Sequence, residues 1–121
     1  MCSIIGSFDV ERLRELAALN SYRGTHSHSL FVFSPEKDLM YAYRAFDEID
    51  FDKHLYAIRP GDYIIAHQQA PTTESKGMES IHPAEFKGMY LWHNGIIKDH
   101  EVKRLQEKYA PFCTWDTRLM L

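Results

Sequence analysis

A cysteine stands second in the chain, in MCSIIGSF, and an Asn-Gly pair closes a later apolar run, in LWHNGII. Both arrangements can do chemistry. Removal of an initiator methionine is favoured when the next residue is small, and cysteine is small. Trimming Met1 would give Cys2 a free α-amine with an ordinary pKa of about 7.7–8.0, close to the thiol's value of about 8.5. Such an amine can take the thiol proton itself, so one residue supplies both nucleophile and base. The other reading of Cys2 is a small buried residue in a first strand. For Asn94-Gly95, one reading is a turn. The other is a pair of donors, the Asn94 carboxamide and a Gly95 N–H that a ligand can approach closely, aimed at a developing oxyanion. The chain also has seven histidines. His26 and His28 of the HSH segment, with His67, His82 and His93, suggest a zinc site. No cysteine or carboxylate falls at ligand spacing around them. The expectation is loop histidines in solvent, no metal and no cofactor.

The totals narrow the class. At 121 residues the chain is expected to be one domain, residues 1–121. Its 45% hydrophobic and 13% aromatic content is that of a globular chain with a core. The net charge of −3, with no basic stripe, argues against nucleic acid as a partner. The two cysteines, Cys2 and Cys113, form no CxxC pair, which points to a reducing compartment and a cytoplasmic protein. Neither a signal peptide nor an apolar run of about 20 residues is visible, so no membrane role is expected.

These residues need elements to position them. Residues 2–8 read as a strand. Asp9 can cap a helix in which Val10, Leu13, Leu16 and Ala17 share one face, ending at Asn20. The segment YRGTHSHS reads as a polar loop, LFVF as a buried strand, and LMYAYRAF as the second arm of a hairpin. In that arm Met40, Ala42 and Arg44 take one side and Tyr41, Tyr43 and Ala45 the other. The acidic stretch at residues 47–55 suggests a short helix or a solvated face, and RPGD a turn. YIIAHQ reads as a strand running into a long loop, QAPTTESKGMES, of the kind that carries function. MYLWHNG reads as a strand. A helix is expected over residues 98–109, with Val102, Leu105 and Tyr109 inward and Pro111 as its stop. Cys113 reads as a passive residue. Alternating blocks of strand and helix predict layered α+β.

The motifs MCSIIGSF, YRGTHSHSL, AHQQAPT, HPAEF, HNGIIKDH and TWDT occur in this order along nearly the whole chain. In kind and order they resemble the class II glutamine amidotransferase domain of the N-terminal nucleophile hydrolases. The likeness is greatest to the glutaminase half of glucosamine-6-phosphate synthase. The resemblance implies an αββα four-layer sandwich with two antiparallel sheets. It implies that Cys2, freed of Met1, attacks the glutamine side-chain amide and forms a thioester, giving glutamate and ammonia. Asn94 and Gly95 then correspond to the oxyanion hole. Arg23 matches a loop arginine beside the nucleophile. Asp116 matches the carboxylate that holds the substrate's α-amine. Gln68, Ala70 and Thr72 fall in the loop closing over glutamine, and His82 matches the first histidine of an HPH segment. His93, beside the hole, is expected to support structure.

The chain also departs from that pattern. Gln69 stands where the family has the arginine for the glutamine α-carboxylate, which removes a charge-assisted contact. Lys76 and Arg118 are the cations that could substitute. Ser3 replaces a glycine, His26 an aspartate, and Thr73 and Glu74 a histidine and a glycine. The family domain is longer, so the resemblance implies a sandwich incomplete at its C-terminal side. A missing C-terminal segment, a synthase or acceptor subunit, or self-association would complete it. Two other functions stand beside the glutaminase. One is a non-catalytic binder that has lost glutamine recognition. The other is an N-terminal cysteine hydrolase for a different amide.

Overall fold

Asp9 both ends the first strand and starts the first helix. Its carboxylate accepts hydrogen bonds from the N–H groups of Glu11 (2.9 Å) and Arg12 (3.4 Å), two donors that a helix start leaves unpaired. In the computed structural model, which describes residues 2–70, 77–95, 97–109, 113 and 115–121, the resulting helix is α1, Val10–Asn20. It follows β1, Ser3–Ser7. Then come β2 (Ser27–Phe33), β3 (Leu39–Ala45) and β4 (Tyr63–Gln69), with short 3-10 helices at Ser21–Arg23 and Phe51–Ala57.

The four strands form one antiparallel sheet in the order β1-β4-β2-β3. Side chains alternate across a strand, so each strand feeds two faces. On one face Ile5, Leu30, Val32, Ile64 and Ala66 meet Leu13 and Ala17 of α1 and Phe51 of the second 3-10 helix. Val10 and Leu16 pack at the margin of this core, as the helical spacing predicts. Tyr41 and Tyr43 join the same side.

The opposite face is covered by a small antiparallel ribbon, β5 (Ala84–Phe86) and β6 (Met89–Leu91). Lys87 and Gly88 at its turn have φ of 49° and 79°, the positive values that a two-residue hairpin needs to follow strand twist. Phe31 and Phe33 of β2 pack against Tyr90 and Trp92 with ring centroids 5.7–6.4 Å apart. Arg44 fastens the covering segment. It lies over the Phe31 ring, donates to the carbonyls of Ile81 and Pro83 at 3.0 Å each, and pairs with Glu85 at 2.8 Å. The chain ends its described course with α2, Asp99–Tyr109, and α3, Asp116–Leu119. Helices with two antiparallel sheets make the fold α+β. No helix among the described residues is long and apolar enough to cross a membrane.

Several expectations change. The strand β2 begins at Ser27, inside the segment read as a polar loop, because a central strand buries whatever it carries. His28 is therefore 2% exposed, not a solvated loop histidine, and its Nδ1 lies 2.8 Å from the Asp47 carbonyl oxygen. His54 is also buried, with Nδ1 2.8 Å from the Tyr41 hydroxyl. The expected strand MYLWHNG is shorter, stopping at Leu91, and β5 was not foreseen. In α2, Val102 and Leu105 are half-buried, but Tyr109 is exposed rather than inward. Pro111 lies outside the described residues.

Candidate functional site

Cys2 sits at the mouth of the β1–β4 pair, where the register sets Ser3 opposite Gln68. Ser3 and Gln68 face α1. The Ser3 hydroxyl donates to Gln68 Oε1 (3.0 Å), and Gln68 Nε2 donates to the Ala17 carbonyl (3.3 Å). Gln68 is thus held within the strand on the α1 side, not in a closing loop as its motif suggests. Alternation turns Cys2 to the other face, toward Gln69 and the covering ribbon. Cys2 is 5% exposed, and its thiol donates to the Ala70 carbonyl at 3.6 Å.

Asn94 closes on Cys2 from the far end of the chain. Its Oδ1 accepts the Cys2 N–H at 3.3 Å, and its Nδ2 donates to the Cys2 carbonyl at 2.7 Å. One carboxamide thereby spans both backbone polar groups of the cysteine. A carboxamide has two N–H donors, so a second remains after the bond to Cys2. Gly95 follows at the same corner. A Cβ there would lie 2.9 Å from His93 Nε2, closer than a side chain tolerates.

The YRG segment reaches the same place by backbone contact. A Cβ on Gly24 would run into the Ala70 nitrogen and lie 2.5 Å from the Gln69 carbonyl carbon, so only glycine lets the chain seat here. His26 N–H adds a bond to the Gln69 carbonyl at 3.2 Å. Arg23, next to Gly24, places its guanidinium over the Tyr22 ring, 5.4 Å from the centroid.

Gln69 and His82 face inward together. Gln69 Nε2 donates to the Ser80 carbonyl at 3.3 Å. Its Oε1 lies 3.1 Å from His82 Nδ1 and 3.5 Å from the His82 backbone nitrogen. His82 Nε2 is 3.0 Å from Thr117 Oγ1, which is 3.4 Å from His93 Nδ1. The His82 ring stacks 4.3 Å from the His67 ring and meets Trp115 edge-on at 5.1 Å. His67 is fully buried, and neither ring nitrogen has a hydrogen-bond partner among the described residues. Burial first, and His82 second, push its pKa down to about 3, so the ring is neutral at ordinary pH. Its cross-strand neighbour Ser29 also has a buried hydroxyl with no partner among the described residues.

The fold thus gathers Cys2, Asn94, Gly95, Ala70, Gly24 and the main chain of Gln69 into one corner. Gln69, His82 and His93 form an adjoining buried network. Asp116 opens α3, one residue before Thr117, but its side chain lies outside the described residues, as do Thr72, Thr73, Glu74 and Lys76. Arg118 turns elsewhere, its guanidinium 5.0 Å over the Phe86 ring. Among the described residues no group of three His, Cys, Asp or Glu side chains could hold a metal ion. Thr117 was not singled out from the sequence. Only its position inside TWDT pointed to it, since its two imidazole partners come from distant segments. Compared with known proteins, the chain matches no family model, no curated protein and no solved structure.

Proposed function

We propose that this chain is a class II glutamine amidotransferase-type domain with an N-terminal cysteine nucleophile, hydrolysing the side-chain amide of glutamine. The observation that carries the reading is the Asn94 carboxamide bonded to both the N–H and the carbonyl of Cys2. It joins the candidate nucleophile to the candidate oxyanion donors. An αββα sandwich fits the sheet with helices on one face and a second, small antiparallel ribbon on the other.

In this reading, loss of Met1 turns the Cys2 nitrogen into an amine held by Asn94 Oδ1. The amine takes the thiol proton, and the sulfur attacks the amide carbon. The carbonyl oxygen becomes an oxyanion facing the second Asn94 N–H and the Gly95 N–H. Collapse expels ammonia, which leaves with the proton the amine returns. Water then adds to the thioester, with the amine again as base, and glutamate departs. Arg23, His82 and Asp116 are the substrate-side residues of this proposal, with Thr72 in the closing loop. The ammonia is passed to an acceptor enzyme or synthase subunit in the cytoplasm.

Intact mass before and after treatment with diazo-oxo-norleucine tests the proposal. The expected result is a chain lacking Met1 that gains one adduct on Cys2, while Cys2→Ala gains none and releases no glutamate. Complete retention of Met1 overturns the mechanism.

A second reading rests on Gln69. Its carboxamide is engaged by Ser80 and His82, and it brings no cation to the place where the family pattern has one. This favours an N-terminal cysteine hydrolase for an amide without an α-carboxylate. Gln69→Arg separates the two. Glutamine turnover that appears only in the variant marks the natural chain as a hydrolase of another amide, or as a binder if Cys2 stays inert to every amide offered.

A further inference from the structure

Where α3 packs against α2 and β5, a cavity of about 670 Å³ opens. That volume lies within the range of small-molecule sites, roughly 300–1,000 Å³. The walls are apolar: Leu105 of α2, Leu119, Met120 and Leu121 at the end of α3, and the rings of Phe86 and Tyr109. Phe86, Tyr109 and Met120 are exposed, and large apolar side chains gathered in one exposed place mark a surface that something covers. Arg118 is the one charged side chain among the described residues that line the cavity. Its guanidinium lies on the Phe86 ring, 5.0 Å from the centroid, so the charged plane is held against the apolar wall. Arg118 Nη1 is buried and has no hydrogen-bond partner among the described residues. A guanidinium carries donors only, and burying one of them without an acceptor is costly. The exposed ammonium of Lys87 lies 5.2 Å from the same ring, so a second positive charge stands beside the cavity.

We propose that this cavity binds a small amphiphilic carboxylate, with its apolar body against the leucines and rings and its carboxylate on the Arg118 guanidinium. The two oxygens of a carboxylate match the flat guanidinium fork and supply the acceptor that Nη1 lacks. A phosphate monoester has a third oxygen, which the aliphatic walls do not serve. The apolar body removes from water the side chains that now face it. The site goes beyond the proposed function. Neither Cys2 nor Asn94 lines the cavity, so the binding stands whether or not the chain hydrolyses glutamine.

The experiment is NMR titration of the full, isotope-labelled chain with decanoate, decanol and decyl phosphate, each below its micelle concentration. Decanoate is expected to move the amides of Phe86, Leu105, Tyr109 and Arg118 and to bind about tenfold more tightly than decanol, the scale of one charge-assisted hydrogen bond. Decyl phosphate is expected to bind more weakly than decanoate. Arg118→Met brings decanoate down to the affinity of decanol and leaves decanol unchanged, and Arg118→Lys, which keeps the charge and loses the fork, recovers part of the difference. The comparison of acid with alcohol on the natural chain decides the matter even where a variant fails to fold. Cys113 gives a separate reading, because it lines the cavity with its thiol 3.6 Å from the Trp115 carbonyl oxygen. With peptide mapping, decanoate is expected to slow alkylation of Cys113 by iodoacetamide and to leave the rate at Cys2 unaltered. Equal binding of acid and alcohol, tighter binding of decyl phosphate, equal protection of both cysteines, or cavity signals that change with protein concentration alone, as a second copy seated there would cause, overturns the proposal.

Discussion

At the residue scale, His67 sits in a strongly perturbed environment. It is a full imidazole set in the sheet, stacked on His82, with both nitrogens unpartnered. Burial lowers its pKa from 6.5 to about 3. The unfolded chain therefore binds a proton below pH 6.5 that the folded chain refuses until about pH 3. Stability is complete above the unfolded value and is lost as the pH falls through that window, at up to about 1.4 kcal/mol per pH unit for one such group. His54 shifts the same way, through burial and then repulsion from His28, and adds to the slope. Urea midpoints between pH 7.5 and pH 4.5 should fall for the natural chain, and His67→Phe should flatten that fall. The Cys2–Asn94 pair differs from His67 in kind. The Asn94 carboxamide meets both backbone polar groups of Cys2, so the pair depends on the turn that holds Asn94.

At the element scale, two glycines show how differently the same residue type is used. Gly24 lets the loop after α1 lie on the Gln69–Ala70 backbone. That contact sets where β2 begins and brings the loop beside Cys2. Gly88 has φ of 79° in the ribbon turn and open space around it. Gly24→Ala must displace main chain and should cost about 2–4 kcal/mol by urea unfolding, in the class of overpacked cores. Gly88→Ala should cost only about 1 kcal/mol, for the positive φ alone. Equal losses at the two sites would refute the close-approach account. The local signals in the sequence worked where chemistry is local. The Asp9 cap marks the start of α1, and Lys87-Gly88 could have been read as a hairpin turn. They failed at Ser27–Ser29, whose polar side chains look like loop and are buried because β3 and β4 flank them.

At the scale of the whole molecule, Arg44 makes several bonds at once between the sheet and its cover. Arg44 binds the Ile81 and Pro83 carbonyls and Glu85 while its guanidinium lies on Phe31. Removing it leaves the two carbonyls without their guanidinium partner and loosens the segment carrying Ile81 to Glu85. Arg44→Met should lower stability by about 2–3 kcal/mol, by analogy with losing a network of charged hydrogen bonds. It should also speed hydrogen exchange at residues 81–91 more than in α1; uniform acceleration across the chain would count against this role of Arg44. By itself the sequence determined the elements whose periodicity or caps are written into neighbouring residues: α1, the β2–β3 hairpin, β4 and α2. It also marked Cys2, Asn94 and Gly95 as residues able to do chemistry. Only the tertiary structure decided that Asn94 spans Cys2 across 92 positions, that Gln69 is spent on Ser80 and His82, and that Thr117 joins two imidazoles. Helical and strand signals come from contacts a few residues apart, whereas these bonds arise only when distant segments are brought together, and no local pattern encodes which donor will meet which acceptor.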